Sequence, residues 1–138
     1  MTLTADNVGL YAETLVRQAV TAGYSLDYSA ESLTTLDTLL AGSDPLYDLS
    51  SETQRSLVIF YVGCYLGEVM VRTLGGQWRL SDPWAESCVL IARAQAGIEI
   101  RPFEKLSRRL LEGEDGNRLA AYYQGIMELL AHGSVLRY

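Results

Sequence analysis

The sequence predicts an α+β, mainly helical fold: three N-terminal helices, a small three-stranded antiparallel meander, and two C-terminal helices. Three observations carry that prediction. Apolar residues recur at intervals of three and four from Asn7 to Leu74, the interval falls to two beyond Gly75-Gly76, and helical spacing returns after Pro102. With 138 residues, 49% hydrophobic and 20% charged, the chain fits a single domain over residues 1–138. It shows no internal repeat and no low-complexity linker.

From Asn7 to Ala22 the positions Val8, Tyr11, Ala12, Leu15, Val16, Ala19 and Val20 form one helical face, which Gly23 ends. Ser29 is placed to cap a second helix with Leu33, Leu36, Leu39 and Leu40 inward, closed by Gly42-Ser43-Asp44-Pro45. Ser50 or Ser51 starts the longest helix, and the glycine pair Gly75-Gly76 stops it after Leu74. In the next segment Trp78 and Leu80 alternate with Gln77 and Arg79, and Asp82-Pro83 marks a turn, so a first strand is expected. Cys88 to Ala92 and Ile98 to Ile100, joined by a turn at Gln95-Ala96-Gly97, complete the meander. Pro102 suits the first turn of a fourth helix, which buries Phe103, Leu106 and Leu110 and ends at Gly113. A last helix from about Asn117 to His132 carries Leu119, Tyr122, Tyr123, Ile126, Met127 and Leu130 inward, with Gly133 as its cap.

Composition narrows the function. Eleven Lys plus Arg against 17 Asp plus Glu give a net charge of -6, which disfavours a nucleic-acid partner. Two cysteines, Cys64 and Cys88, and one histidine, His132, are too few for a zinc site, so neither metal nor cofactor is expected. The first residues, Met1 to Asp6, lack a basic cluster and an apolar core segment, so a cytoplasmic location with reduced thiols is expected. The apolar run Leu57 to Gly67 is interrupted by Glu68, and even with Val69-Met70-Val71 it falls short of a membrane span. It reads as a buried core helix, and no membrane partner is expected.

The long helix holds the residues that stand out. Gly63 and Gly67 leave one side nearly bare, where close packing by another helix is expected, with Ala121 and Gly125 of the last helix as its small-residue counterpart. Glu68 interrupts the apolar run and needs a partner, for which Arg72 one turn on, the Trp78 indole, and the hydroxyls of Tyr61 and Tyr65 are candidates. An intrahelical ion pair is one reading. A desolvated general base in a cleft walled by Trp78 and tyrosines is the other. No second carboxylate stands at a defined spacing, the cysteines lie in no nucleophile motif, and the glycine pair follows a helix instead of opening one as phosphate loops do. His132 falls at a helix end, and the basic run Arg101 to Arg109 reads as the solvated face of the fourth helix.

Three stretches together, LDYSAESLTTLDTLL from Leu26 to Leu40, GCYLGEVMVRTLGGQW from Gly63 to Trp78, and IRPFEKLSRRLLEGEDGNRLAAYY from Ile100 to Tyr123, carry a resemblance. The chain resembles an uncharacterised family of small bacterial domains, actinobacterial members included, in which a Tyr-Leu-Gly-Glu helix leads to a Gly-Gly-x-Trp strand. That resemblance implies a bacterial cytoplasmic protein and brings no known activity, cofactor or catalytic residue. Two functional expectations follow. One is a noncatalytic interaction module acting as a homodimer or on a protein partner, suggested by the nine tyrosines and the open strand edges. The other is a small-molecule pocket between the long helix and the sheet, lined by Tyr65, Glu68, Arg72 and Trp78.

Overall fold

The computed structural model describes residues 2–41, 49–93, 96–132 and 135–137. The chain forms five α-helices, α1 (Val8–Thr21), α2 (Ser32–Ala41), α3 (Glu52–Leu74), α4 (Pro102–Glu112) and α5 (Leu119–Ala131), and one sheet among the described residues. Its strands are β1 (Gln77–Arg79), β2 (Cys88–Arg93), β3 (Ala96–Ile100) and β4 (Val135–Arg137), in that spatial order. The first three form the expected antiparallel meander, with Trp78 opposite Val89 and Ile91 opposite Ile98. The fourth runs parallel to β3 and adds an edge that three residues of sequence do not announce. The expected segment closure at 42–45, the turn residue Gln95 and the cap Gly133 lie outside the described residues; Ala96 and Gly97 belong to β3.

Local chemistry explains the boundaries. Thr4 and Asn7 exchange bonds, each side-chain oxygen accepting the other's backbone N–H, and thereby fix the entry to α1. The Ser29 hydroxyl accepts from the Ser32 N–H in the turn that leads into α2. Ser51 caps α3 by accepting the Gln54 N–H. At the other end the two glycines divide the work. Gly75 takes φ 72° to cap the helix, and Gly76 lets β2 come close, since a Cβ there would stand 2.5 Å from Val89.

Helix α3 is the central rod. Twelve of its residues are buried, among them Phe60, Tyr65, Leu66 and Met70, and α1, α4 and the sheet pack around it. Although its longest uninterrupted apolar run falls short of a span, the whole helix is long and apolar enough to cross a membrane by length and composition, which corrects the expectation from that run, yet 67% of its apolar window is buried inside the molecule. The inner face of the sheet supplies Val89, Ile91, Ile98 and Ile100 to the same core.

The bare flank of α3 is filled differently from the expectation. A Cβ at Gly67 would lie 2.1 Å from the Trp78 indole, and one at Gly63 would lie 2.3 Å from the Phe103 ring. Aromatic rings from β1 and α4 occupy the gap, and Ala121 of α5 is exposed, so the small residues of α5 are not the counterpart. Burial of the two aromatic rings against the glycines offsets the cost of two helical glycines of about 1 kcal/mol each. Phe60, Trp84 and Phe103 extend the cluster edge to face, with centroids 5.0 Å apart for Phe60–Trp84 and 5.1 Å for Trp84–Phe103.

Three further expectations are corrected. Val20 and Met127, placed inward by periodicity, are 64% and 42% exposed, because each falls at the margin of its helix's buried stripe. Arg109 is not on a solvated face: it is 4% exposed and its Nη1 donates to Asp37 Oδ1 at 2.7 Å. The Asp37 carboxylate, projecting from α2, also accepts the Leu119 and Ala120 N–H groups at 2.8 and 3.0 Å, so a side chain from another helix caps the start of α5.

Candidate functional site

The four residues singled out by sequence do come together. Tyr65, Glu68 and Arg72 follow one another at three and four along α3 and so share a side of the helix. Glu68, its side chain 11% exposed, accepts the Trp78 indole N–H on Oε2 at 2.9 Å and Arg72 Nη2 on Oε1 at 3.3 Å. Gly67 makes the first contact possible, because any side chain there would displace the indole. Gly9 of α1 closes the carboxylate from above, where a Cβ would meet Oε1 at 3.3 Å. Both oxygens of the acid are thus held by fixed donors.

Tyr28, which periodicity did not mark, joins the halves of the cluster. The Arg72 guanidinium lies 3.6 Å over its ring, and the ring stacks on Tyr65 at 4.9 Å. Its backbone takes φ 65°, unusual for a bulky side chain, and the N–H so presented donates to the Tyr65 hydroxyl at 2.9 Å. That hydroxyl also shares a 2.6 Å bond with Ser32 Oγ, while the Tyr28 hydroxyl donates to Glu13 Oε2 at 2.8 Å. The cluster therefore ties α1, the link before α2, α3 and β1 into one polar seam. The sequence holds a trace of this only in the count of tyrosines, since the left-handed turn at Tyr28 leaves no periodic signature.

Burial pushes the Tyr28 and Tyr65 hydroxyls above their ordinary 10.0, and Glu13 adds to the effect at Tyr28. Burial, reinforced by Glu68, pushes the Cys64 thiol from 9.0 up to about 12. Cys64 and Cys88 are free and buried, and Cys88 donates to Glu99 Oε1 at 3.5 Å. Groups whose folded pKa lies above the unfolded one support folding fully below the unfolded value and lose that support as pH rises through the folded one. Stability is accordingly expected to hold at neutral pH and to fall from about pH 9 to 10 upward, read as a declining urea midpoint. Tyr65→Phe is expected to cost about 1–3 kcal/mol, because the buried Tyr28 N–H loses its acceptor, and to flatten part of that alkaline decline. Unchanged stability in the variant would show that water replaces the hydroxyl.

His132 is exposed at the C-cap of α5. No group of three or more His, Cys, Asp or Glu that could hold a metal occurs among the described residues.

Fold and cluster together define a small α+β domain built on one interior helix whose acid is satisfied by its own neighbours. The chain belongs to the family of unknown function DUF6278, whose model matches residues 5–113. That span takes in the whole cluster and the Asp37–Arg109 pair, and ends before α5. No curated protein and no solved structure matches the chain.

Proposed function

We propose that this domain is a noncatalytic interaction module of the bacterial cytoplasm, working through self-association or a protein partner. The observation that carries the reading is on α1, whose outward side bears Leu10 and Val20 at 67% and 64% exposure. The cluster around Glu68 supports it from the other side. An acid whose two oxygens are occupied by an indole and a guanidinium is poorly placed to accept a substrate proton, so Glu68 serves as a structural ion pair. The test compares the wild type with a variant carrying Leu10→Lys and Val20→Lys, together with Met127→Lys on α5 and Leu111→Lys on α4, where Leu111 is 79% exposed, in light scattering and in affinity capture from source cells. Association by the wild type that the variant loses is the expected result. A wild type that stays monomeric and retains nothing the variant loses overturns the reading.

A second reading rests on Arg72. Its side chain is 47% exposed beside Tyr65, Glu68 and Trp78, so a small polar ligand with an acceptor group could reach the guanidinium edge from solvent. Such a ligand is expected to change tryptophan fluorescence in a metabolite panel, and the change should vanish in Arg72→Met. A panel without any response ends this alternative.

A further inference from the structure

The outward stripe of α1 complements itself. Leu10, Glu13, Arg17 and Val20 succeed one another at three, four and three, which confines them to about 80° of the helix at 100° per residue. They lie away from the buried Val8, Ala12, Leu15 and Ala19. The stripe is apolar at both ends and charged in the middle, acid before base. Arg17 is exposed and has no side-chain partner among the described residues, and Glu13 has one oxygen on the Tyr28 hydroxyl.

A second copy of α1 laid antiparallel, with a two-fold axis at the level of Leu15, sets Leu10 against Val20 and Glu13 against Arg17. Each of these pairs is equidistant from Leu15 along the chain, so both apolar contacts and both ion pairs form at once. We propose that the domain self-associates through α1 in this antiparallel, two-fold arrangement. The proposal rests on the interaction-module reading and names its partner as a second copy of this chain. A two-fold interface requires that one patch be its own complement, a condition that an unrelated partner would not impose. With 14 residues, α1 is about 21 Å long and supplies less than the roughly 800 Å² per partner of a standard interface. The pair should be weak, with a dissociation constant on the order of 10–100 µM.

Sedimentation equilibrium on the full chain, from about 5 to 500 µM, tests the register. Leu10→Lys and Val20→Glu, each studied alone, place a charge opposite an apolar residue of the second copy and are expected to weaken self-association about tenfold. An equimolar mixture sets Lys against Glu on one side and Val against Leu on the other, and is expected to recover association. Arg17→Glu, which sets acid against acid twice, should weaken the pair and lose its salt dependence in the sense of attraction. Circular dichroism confirms that these exposed substitutions leave the fold intact. Self-association unaffected by the variants, or a mixture that fails to recover, overturns the α1 pairing and leaves the module reading standing. A strict monomer at all concentrations also overturns the pairing, and the module reading then depends on the capture experiment.

Discussion

Asp37→Ala is expected to lower the unfolding free energy by about 3–5 kcal/mol, because removing one member of a buried ion pair strands the other. Arg109, 4% exposed, would keep only carbonyl acceptors, the Asp37 and Asn117 oxygens at 3.2 Å. The first N–H groups of α5, at Leu119 and Ala120, would lose the carboxylate that caps them. A domain of this size has about 5–15 kcal/mol in all, so the loss is a large fraction of the total and is readily measured by urea unfolding. Asp37→Asn, which keeps one oxygen acceptor without the charge, should lose less. Asp37→Leu combined with Arg109→Met should recover much of the deficit, since a buried pair replaced on both sides by apolar groups leaves no stranded charge. If the double variant is no better than Asp37→Ala, the capping bonds to α5 outweigh the ion pair.

The consequence is topological. Asp37 and Arg109 lie within the residues that match the family model, whereas α5 begins after them. The carboxylate reaches out of the matched body to hold the N-terminus of the last helix, and Lys105 backs the same corner by donating to Asn117 Oδ1 at 3.1 Å and lying 4.9 Å from the Tyr122 ring. Weakening this corner should therefore loosen α5 before it loosens α3, a difference that hydrogen exchange resolves residue by residue.

These contacts also mark what sequence reasoning could and could not reach. Periodicity gave the helices because each has one apolar stripe, and it gave Glu68, Arg72 and Tyr65 as neighbours because three-four spacing is geometry. The Trp78 indole is legible only as one of several candidate partners of Glu68, beside Arg72, Tyr61 and Tyr65. Asp37 and Arg109 each sit on an apolar stripe, Asp37 between Leu36 and Leu40 and Arg109 three residues after Leu106, but periodicity alone does not pair them. Opposite charges on two buried faces are themselves a signal that they meet, and a basic run masked it. Strand β4 lacked any comparable signal: three residues offer too little alternation, and only the exposed edge of β3 recruits them. The fill of the glycine notch was a matter of size. Sequence shows that space is left but not whether a backbone or a ring enters it.

That notch yields the second large effect. Gly67→Ala is expected to cost about 1–3 kcal/mol and Gly67→Leu more, because the added Cβ would stand 2.1 Å from two indole carbons. The indole cannot simply swing aside. Its N–H is held by Glu68 at 2.9 Å, and its ring stacks near Phe103 at 6.1 Å, so displacement would break the bond and leave a nearly buried carboxylate with Arg72 alone. The clash and the bond can be separated by a double-mutant cycle. Trp78→Leu alone should destabilise by loss of packing and of the Glu68 donor, whereas Gly67→Ala should cost little once the indole is gone, giving a coupling of about 1–3 kcal/mol. Tryptophan emission provides an independent readout: in a Trp84→Phe background the single remaining indole should shift to longer wavelength when Gly67 is replaced, as it moves from the helix surface into water. Additive energies together with unchanged emission would mean that the indole does not rest on Gly67, and the close seat of β1 on α3 would have to be abandoned.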